Sequence, residues 1–285
     1  MVGKIKKEEL LESVTKLPVL SEVVMRAIKL IDDPQCSIRE LTDLMSKDQS
    51  ISAKIIKIAN SAFYGFPRKI FSLSEAFIIL GFRTIRSLLI TASVSDLLKG
   101  PVDGYIITKG DLWKHSYAVA FTAGNVAKSV RRHMMDTAFT AGILHDIGKL
   151  ILGNYLKGAY QEVLLTAQTS NISLAMAEEK LLGYNHAAVG GMVLDHWNFP
   201  EIIVNAVSNH HQIMNQENYE PMDAILHLAD NWVLEEGIGI APCEGIIEPD
   251  LEIQHTMGLS IEMKDEILNR LKTELTAMEE IFNDE

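Results

Sequence analysis

The sequence predicts an all-α fold, because apolar side chains recur at three- and four-residue spacing along most of the chain. The clearest case runs from Leu20 to Ile31, where the apolar positions share one face of a helix. No segment shows a comparable alternation of period two, which is typical of half-buried strands. The 285 residues, 47% hydrophobic and 22% charged, suffice for one large helical module or two compact ones.

Two short helices are predicted after this first one, over residues 37–46 and 48–61. Ser37 and Glu40 have the spacing of a capping box, and Asp48 can cap the helix that follows. The pair could form a helix-turn-helix, but its basic and acidic residues nearly cancel. Because a DNA-reading helix usually carries a basic excess, we predict that the two helices pack within the protein and bind no DNA.

The rest of the chain divides at two breaks in the helical pattern. The apolar stretch Leu73 to Leu98 is interrupted by four charged residues, so it predicts a buried pair of helices rather than a membrane span. Glycine and proline interrupt the pattern at 99–110 and again at 237–258. The predicted segments are a helical subdomain (1–104), a second helical subdomain (105–235), and an irregular stretch with an amphipathic last helix (236–285).

The last helix carries an apolar stripe on an acidic background, which predicts packing on the body of the protein or on a second copy in a homodimer. The stripe consists of Ile267, Leu271, Leu275, Met278 and Ile281.

The charge balance and the cysteines restrict the setting and the partners. A formal net charge of -12 disfavours binding to nucleic-acid backbones and to acidic membrane surfaces. Cys36 and Cys243 are far apart and in no C-x-x-C arrangement, which favours a reducing compartment. The charged N-terminus is followed by no apolar core of a signal peptide. We therefore expect a cytoplasmic protein that binds neither DNA nor membranes.

The adjacent pair His145 and Asp146 is the most informative feature of the chain. It lies in the apolar run 138–150, which predicts a core helix, and burying two such side chains without partners is costly. Lys149 follows at one helical turn and would project to nearly the same side. Gly142 and Gly148 each cost about 1 kcal/mol inside a helix, which indicates close approach by another helix or a ligand.

Asp111 and His115 form a second candidate pair. They are four residues apart and can face one metal ion from a single helix. Asp111 also follows Gly110, so it could instead be the N-cap of that helix. Both interpretations of Asp111 stay open at this point.

Further candidates lie downstream, and each one alone has a structural explanation. His186 is predicted at a helix start, His210 and His211 at a helix C-terminus that would stabilise them, and Asp230 inside an apolar helix. Together with the upstream pairs they form a ligand set for iron, manganese, zinc or cobalt, large enough for two ions that share a carboxylate. Three histidines outside the set are interpreted as surface or packing residues: His133, His196 and His255.

The order of these residues resembles the HD superfamily of metal-dependent phosphohydrolases and, more closely, the HDOD domain of bacterial signalling proteins. The similarity covers about residues 10–235. In the first half it rests on Leu17-Pro18, Asp48-Gln49-Ser50, Ala59 through Gly65 and Ser72 through Gly81. In the second half it rests on Trp113 through Ser116, Gly142 through Lys149, Glu178 through Gly190 and Trp197 through Pro200.

The resemblance implies a multi-helix, HD-domain-like bundle with an N-terminal helical subdomain, and one or two divalent ions such as iron, manganese or zinc. The ligands that it implies for the first ion are His115, His145, Asp146 and Asp230. A second site would consist of His186, His210 and His211, with Asp146 as the bridging carboxylate. By the same resemblance, the catalytic residues would be Asp146 and Lys149, whose ammonium would meet a phosphate.

This ligand set is similar to that of the HD-GYP phosphodiesterases, which cleave cyclic di-GMP. The chain departs from them at 212–215, where Gln-Ile-Met-Asn stands in place of their Gly-Tyr-Pro signature. We therefore expect a regulatory HDOD protein that retains a metal site and acts through signalling proteins or a phosphorylated small ligand. The alternative is a metal-dependent phosphohydrolase or phosphodiesterase that acts on a nucleotide or cyclic dinucleotide.

Overall fold

The computed structural model describes residues 3–17, 20–212, 219–240 and 251–282. Within these ranges the chain forms helices and no β-strand, apart from one isolated bridge between Val102 and Ile107. The all-α prediction is confirmed. Several residues used above lie outside the described ranges, or have side chains that do: Pro18, Ile213 to Asn215, Cys243, Met278 and Ile281.

The helices are α1 (Lys7–Lys16), α2 (Glu22–Ile31), α3 (Ile38–Met45), α4 (Gln49–Ala59), α5 (Leu73–Lys99), α6 (Asp111–Val130), α7 (Met135–Leu144), α8 (Lys149–Leu156), α9 (Tyr160–Ser170), α10 (Leu174–Leu182), α11 (His186–His196), α12 (Glu201–Asn209), α13 (Pro221–Glu235), α14 (Leu251–Thr256) and α15 (Ile261–Phe282). Single 3-10 turns lie at Asp103–Tyr105 and Arg132–Met134.

The chain forms two compact units, each built from two stretches of sequence. The first unit comprises Met1–Pro18 and Leu98–Leu271, and the second comprises Val19–Leu97 and Lys272–Glu285. The division into segments 1–104, 105–235 and 236–285 stays a prediction.

The second unit confirms the predicted helix starts. Ser37 and Glu40 form both hydrogen bonds of a capping box at the start of α3, and the Asp48 carboxylate accepts a hydrogen bond from the N–H of Ile51. Helix α5 is broken at Gly81, whose φ of 74° and ψ of 163° are not helical, so the predicted pair of helices is confirmed. By length and composition alone α5 could cross a membrane, although 56% of its most apolar window is buried.

The two glycines of the apolar run 138–150 lie against other backbone in the first unit. A Cβ on Gly142 would lie 2.5 Å from Cα of Ala120 on α6. A Cβ on Gly148 would lie 2.0 Å from the carbonyl oxygen of His186 on α11. Both predicted close approaches are confirmed, and they let α6 and α11 pack closely against this run.

The prediction of one continuous core helix over this run is wrong. Helix α7 ends at Leu144, residues 145–148 form a tight turn, and α8 begins at Lys149. In the turn, the N–H of Ile147 donates to the carbonyl of Leu144, and the N–H of Lys149 donates to that of Asp146. Hydrogen bonds between residues three positions apart, as in a 3-10 turn, are typical of a tightened helix end. Gly148, the last residue of this turn, meets the backbone of α11.

Candidate metal centre

Five parts of the first unit bring the predicted ligands together. His115 lies on α6, the pair His145 and Asp146 lies on the turn after α7, and Asp230 lies on α13. His186 is the first residue of α11, where Asn185 caps the helix. His210 and His211 directly follow α12. The predicted helix positions of all these residues except the pair on the turn are confirmed.

The first group of candidate ligands is formed by His115, His145, Asp146 and Asp230, whose side chains are all buried. Each histidine has Nε2 close to both carboxylates. Nε2 of His115 lies 3.1 Å from Oδ1 of Asp230 and 3.7 Å from Oδ2 of Asp146. Nε2 of His145 lies 3.3 Å from Oδ2 of Asp146 and 3.6 Å from Oδ1 of Asp230. Donors that share one ion at about 2.1 Å each lie about 3 to 4.2 Å apart, depending on the angle between them, so these spacings are compatible with a common ion.

The second group consists of His186, His210 and His211, whose ligand nitrogens all lie within 4.8 Å of one another. Nε2 of His186 lies 2.8 Å from Nε2 of His211 and 3.4 Å from Oδ1 of Asp146. Asp146 therefore directs Oδ2 toward the first group and Oδ1 toward the second. This is the arrangement that a bridging carboxylate requires.

Asp111 does not join either group in the described part of the chain. It is the first residue of α6, one position after the N-cap Gly110, and its carboxylate accepts a hydrogen bond from the hydroxyl of Thr108. The N-cap alternative is therefore wrong by one residue. The negative charge of Asp111 in the first turn still interacts favourably with the dipole of α6.

Hydrogen bonds fix the ring orientation of four of the histidines. In each of them Nδ1 lies against an oxygen that can only accept, so Nδ1 carries a proton and Nε2 faces the cluster. The contacts are His145 to Gly142 O at 2.8 Å, His210 to Val207 O at 2.7 Å, His115 to Ile238 O at 3.2 Å and His186 to Glu178 Oε2 at 2.8 Å.

Three buried polar atoms at the centre of the cluster make no hydrogen bond to any described residue. They are Nε2 of His145, Nε2 of His210 and Oδ1 of Asp146. A buried polar atom without a partner costs about 1 to 3 kcal/mol, and cations coordinated by the two groups would satisfy all three. The imidazole and carboxylate donors suit iron, manganese or zinc, so the residues present fit the metal that the sequence predicts.

Charges in the cluster oppose the effect of burial at Asp146 and His145 and add to it at His210. Burial would raise the pKa of Asp146, but His145 and Lys149 outweigh it and hold that pKa well below its usual range. Nζ of Lys149 is itself buried, 2.8 Å from Oδ2 of Asp146. Burial would likewise lower the pKa of His145, but Asp146 and Asp230 raise it to about 10. Burial lowers the pKa of His210 to about 3, an effect to which His145 adds.

Metal binding is expected to release at least one proton at about pH 8. With a pKa of about 10, His145 in the metal-free protein carries both ring protons in most molecules at pH 8, and an ion that binds Nε2 must displace one of them. His210, with a pKa of about 3, has no extra proton to release. The measurement is calorimetric titration with Zn²⁺ in two buffers of different ionisation enthalpy. Equal heats in both buffers would contradict it.

Two residues of the centre escape prediction from the sequence. Glu178 on α10 accepts hydrogen bonds from His186, and its other oxygen accepts one from the hydroxyl of Tyr105 at 2.7 Å. The available signal was a carboxylate among the apolar positions of α10, beside Ala177 and Leu182, where it needs a partner.

The three histidines that the sequence analysis leaves outside the ligand set are all exposed, namely His133, His196 and His255.

A sequence model of the HDOD domain matches residues 17–213 of the chain. The chain belongs to the HDOD family. This HDOD protein is 23% identical over 225 residues to an uncharacterized protein of Treponema pallidum, a match that covers 77% of this chain. It spans only 42% of that relative's length.

Solved structures similar to this HDOD protein include an HDOD domain protein of unknown function from Geobacter sulfurreducens. The two are 25% identical with a TM-score of 0.70, over 95% of this chain and 96% of the other. A proposed signal transduction protein of Marinobacter aquaeolei is 23% identical with a TM-score of 0.67, and the match covers 96% of this chain and 61% of the other. A proposed metal-dependent phosphohydrolase of Shewanella amazonensis is 20% identical with a TM-score of 0.64, and the match covers 94% of this chain and 97% of the other. The last two show the shared fold.

Proposed function

We propose that this HDOD protein is a regulatory module of a bacterial cytoplasmic signalling pathway that holds one or two divalent ions of iron, manganese or zinc. The first ion would be bound by the first group and the second by the second group, with Asp146 between them. The module would act through signalling proteins or a phosphorylated small ligand.

One observation carries the metal part of this proposal. Nε2 of His145, Nε2 of His210 and Oδ1 of Asp146 are buried, belong to the two groups of candidate ligands and have no hydrogen-bond partner in the described residues. The Nδ1 contacts already orient both rings with Nε2 toward the cluster, so metal binding needs little movement of the rings.

Burial favours regulation over turnover. A catalytic ion keeps a coordination position open to substrate, whereas the ligands of the first group and Lys149 are each no more than 2% exposed. Lys149 is also engaged with Asp146 at 2.8 Å. In this arrangement its charge balances a buried carboxylate, which is a use for Lys149 that requires no phosphate.

A metal-dependent phosphohydrolase or phosphodiesterase is the second candidate. It is favoured by the two oxygens of Asp146, which face different groups as a two-metal site would need. The cation of Lys149 beside this carboxylate could meet a phosphate if the centre opened.

Metal analysis tests the proposal. Protein grown with iron, manganese and zinc is expected to retain at least one of these ions per chain after dialysis, measured by mass spectrometry of the elements. The control is the triple variant His133→Ala, His196→Ala, His255→Ala, which removes exposed histidines and should keep the same metal content. Dialysed protein that contains none of the three metals would contradict the proposed metal binding.

Turnover separates the two candidates. The metal-loaded protein is incubated with bis-p-nitrophenyl phosphate and with cyclic dinucleotides, and the products are measured. No hydrolysis while the ions stay bound would support the regulatory function. Hydrolysis that disappears on removal of the ions would replace it with the enzymatic one.

A further inference from the structure

We propose that Glu178 and Tyr105 are positioning residues for His186, and that through His186 they set the affinity of the second group for its ion without changing that of the first. This inference rests on the proposed function, since it concerns the ions that the centre would hold. Neither residue is itself a candidate ligand.

Glu178 holds both the ring and the backbone of His186. Its side chain is fully buried, and Oε2 accepts hydrogen bonds from Nδ1 of His186 at 2.8 Å and from the backbone N–H of His186 at 2.9 Å. One oxygen therefore fixes the tautomer and the direction of the ring at the start of α11. A carboxylate on Nδ1 also makes Nε2 a more basic ligand.

Tyr105 in turn holds Glu178. The Tyr105 hydroxyl donates to Oε1 of Glu178 at 2.7 Å, so both oxygens of the carboxylate are fixed. The Tyr105 ring is buried, lies edge-on to Tyr160 with centroids 5.5 Å apart, and has Nζ of Lys149 at 5.9 Å from its centroid. Tyr105, Glu178 and His186 therefore form a continuous chain of hydrogen bonds that ends at the second group.

The backbone beside Tyr105 is strained. Ile106 has a φ of 57° and a ψ of 29°, a left-handed conformation that a β-branched residue rarely adopts, and its side chain is 59% exposed. The neighbouring Gly104 touches Gly153, where a Cβ would lie 1.9 Å from the carbonyl oxygen. Such strain persists where the surroundings impose it, and here it accompanies the inward placement of Tyr105.

His186 differs from the other oriented histidines in the kind of group that holds it. Nδ1 of His115, His145 and His210 donates to backbone carbonyls, which no side-chain substitution removes. Among the histidines whose Nδ1 contacts are described, His186 alone is held by a side chain. The affinity of the second group is therefore adjustable at Glu178, independently of the first group.

The experiment is titration of metal-free protein with Co²⁺, followed by the absorption bands of the bound ion and by calorimetry. The unchanged chain is expected to bind two ions. Glu178→Gln keeps the size of the side chain and is expected to weaken one of the two binding steps about 10- to 100-fold and to alter the absorption of that ion only. Tyr105→Phe, which removes one hydroxyl, is expected to weaken the same step by a smaller factor.

Glu179→Gln is the matched control. Glu179 is the next residue on α10, is exposed, and accepts a hydrogen bond from Asn185, the N-cap of α11. The substitution therefore disturbs the same helix start without touching His186, and both binding steps should stay unchanged. Urea unfolding of each metal-free variant shows whether a change in affinity merely follows a loss of folding.

The outcomes separate the two proposals. Selective weakening of one step by Glu178→Gln in a folded variant supports the inference. Unchanged affinities, equal weakening of both steps, or a single ion that neither substitution affects would overturn it while leaving the metal-binding function in place. If the unchanged chain binds no Co²⁺, the proposed function fails and the inference fails with it.

Discussion

Replacing Asp146 with alanine is expected to leave the protein without bound metal at ion concentrations that saturate the unchanged chain. Oδ2 of Asp146 lies near His115 and His145, and Oδ1 lies near His186, so the substitution removes one ligand from each group. It also removes a negative charge that balances the incoming cation. The measurement is the iron, manganese and zinc content of the dialysed protein.

The single substitution also affects folding, because Asp146 pairs with the buried Lys149 at 2.8 Å. Removing one partner of a buried ion pair costs about 3 to 5 kcal/mol, so loss of metal could follow from unfolding. The double variant Asp146→Ala, Lys149→Met removes both charges together and should fold while still lacking metal. Asp195→Ala, an exposed carboxylate on α11, is the control and should keep its metal. A folded double variant with full metal content would contradict the prediction.

Local signals in the sequence predict much of the fold correctly. The capping box of Ser37 and the cap of Asp48 involve residues at most three positions apart, so adjacent sequence contains all the chemistry that they need. The same holds for the start of α11 at His186, where the side chain of Asn185 accepts a hydrogen bond from the N–H of Ala188. Helical periodicity then assigns the buried face of each segment.

The turn at His145 could not be predicted in this way. The run 138–150 is apolar throughout, and periodicity alone does not show where such a run leaves the α-helical pattern. The turn between the two helices ends at Gly148, which meets the carbonyl of His186, and this contact joins residues 38 positions apart. The sequence indicates a close approach through its glycine but does not identify the partner.

Glu178 and Tyr105 show the same limit within the centre. Tyr105 and Glu178 are 73 residues apart, and their hydrogen bond depends on the packing of the Val102–Ile107 loop in the first unit. Spacing rules identify ligands on a shared helix, such as a pair four residues apart, but not groups that hold those ligands from another element. For Asp111 the spacing rule favours a ligand, whereas its carboxylate binds Thr108.

Replacing Gly148 with alanine is expected to destabilise the metal-free protein by about 3 kcal/mol or more. The added Cβ would lie 2.0 Å from the carbonyl oxygen of His186 and 2.6 Å from the backbone nitrogen of Gly190. Overpacking against side chains costs about 1 to 3 kcal/mol, and here the obstructing atoms belong to the backbone of α11, which cannot rotate away. The measurement is urea unfolding followed by circular dichroism at helical wavelengths.

Gly153→Ala provides the comparison that isolates this effect. Gly153 also lies in the first unit, on α8, but its added Cβ would meet the side-chain methyl Cγ1 of Val102 at 2.6 Å. A methyl at the end of a side chain can move, and alanine favours the helix by about 1 kcal/mol, so the loss of stability should be smaller than at Gly148. Since the Gly148 clash pushes on His186 itself, any folded Gly148→Ala protein should also bind Co²⁺ more weakly at the second group. Equal stability of the two variants would show that the approach of residues 145–148 to α11 does not limit the fold.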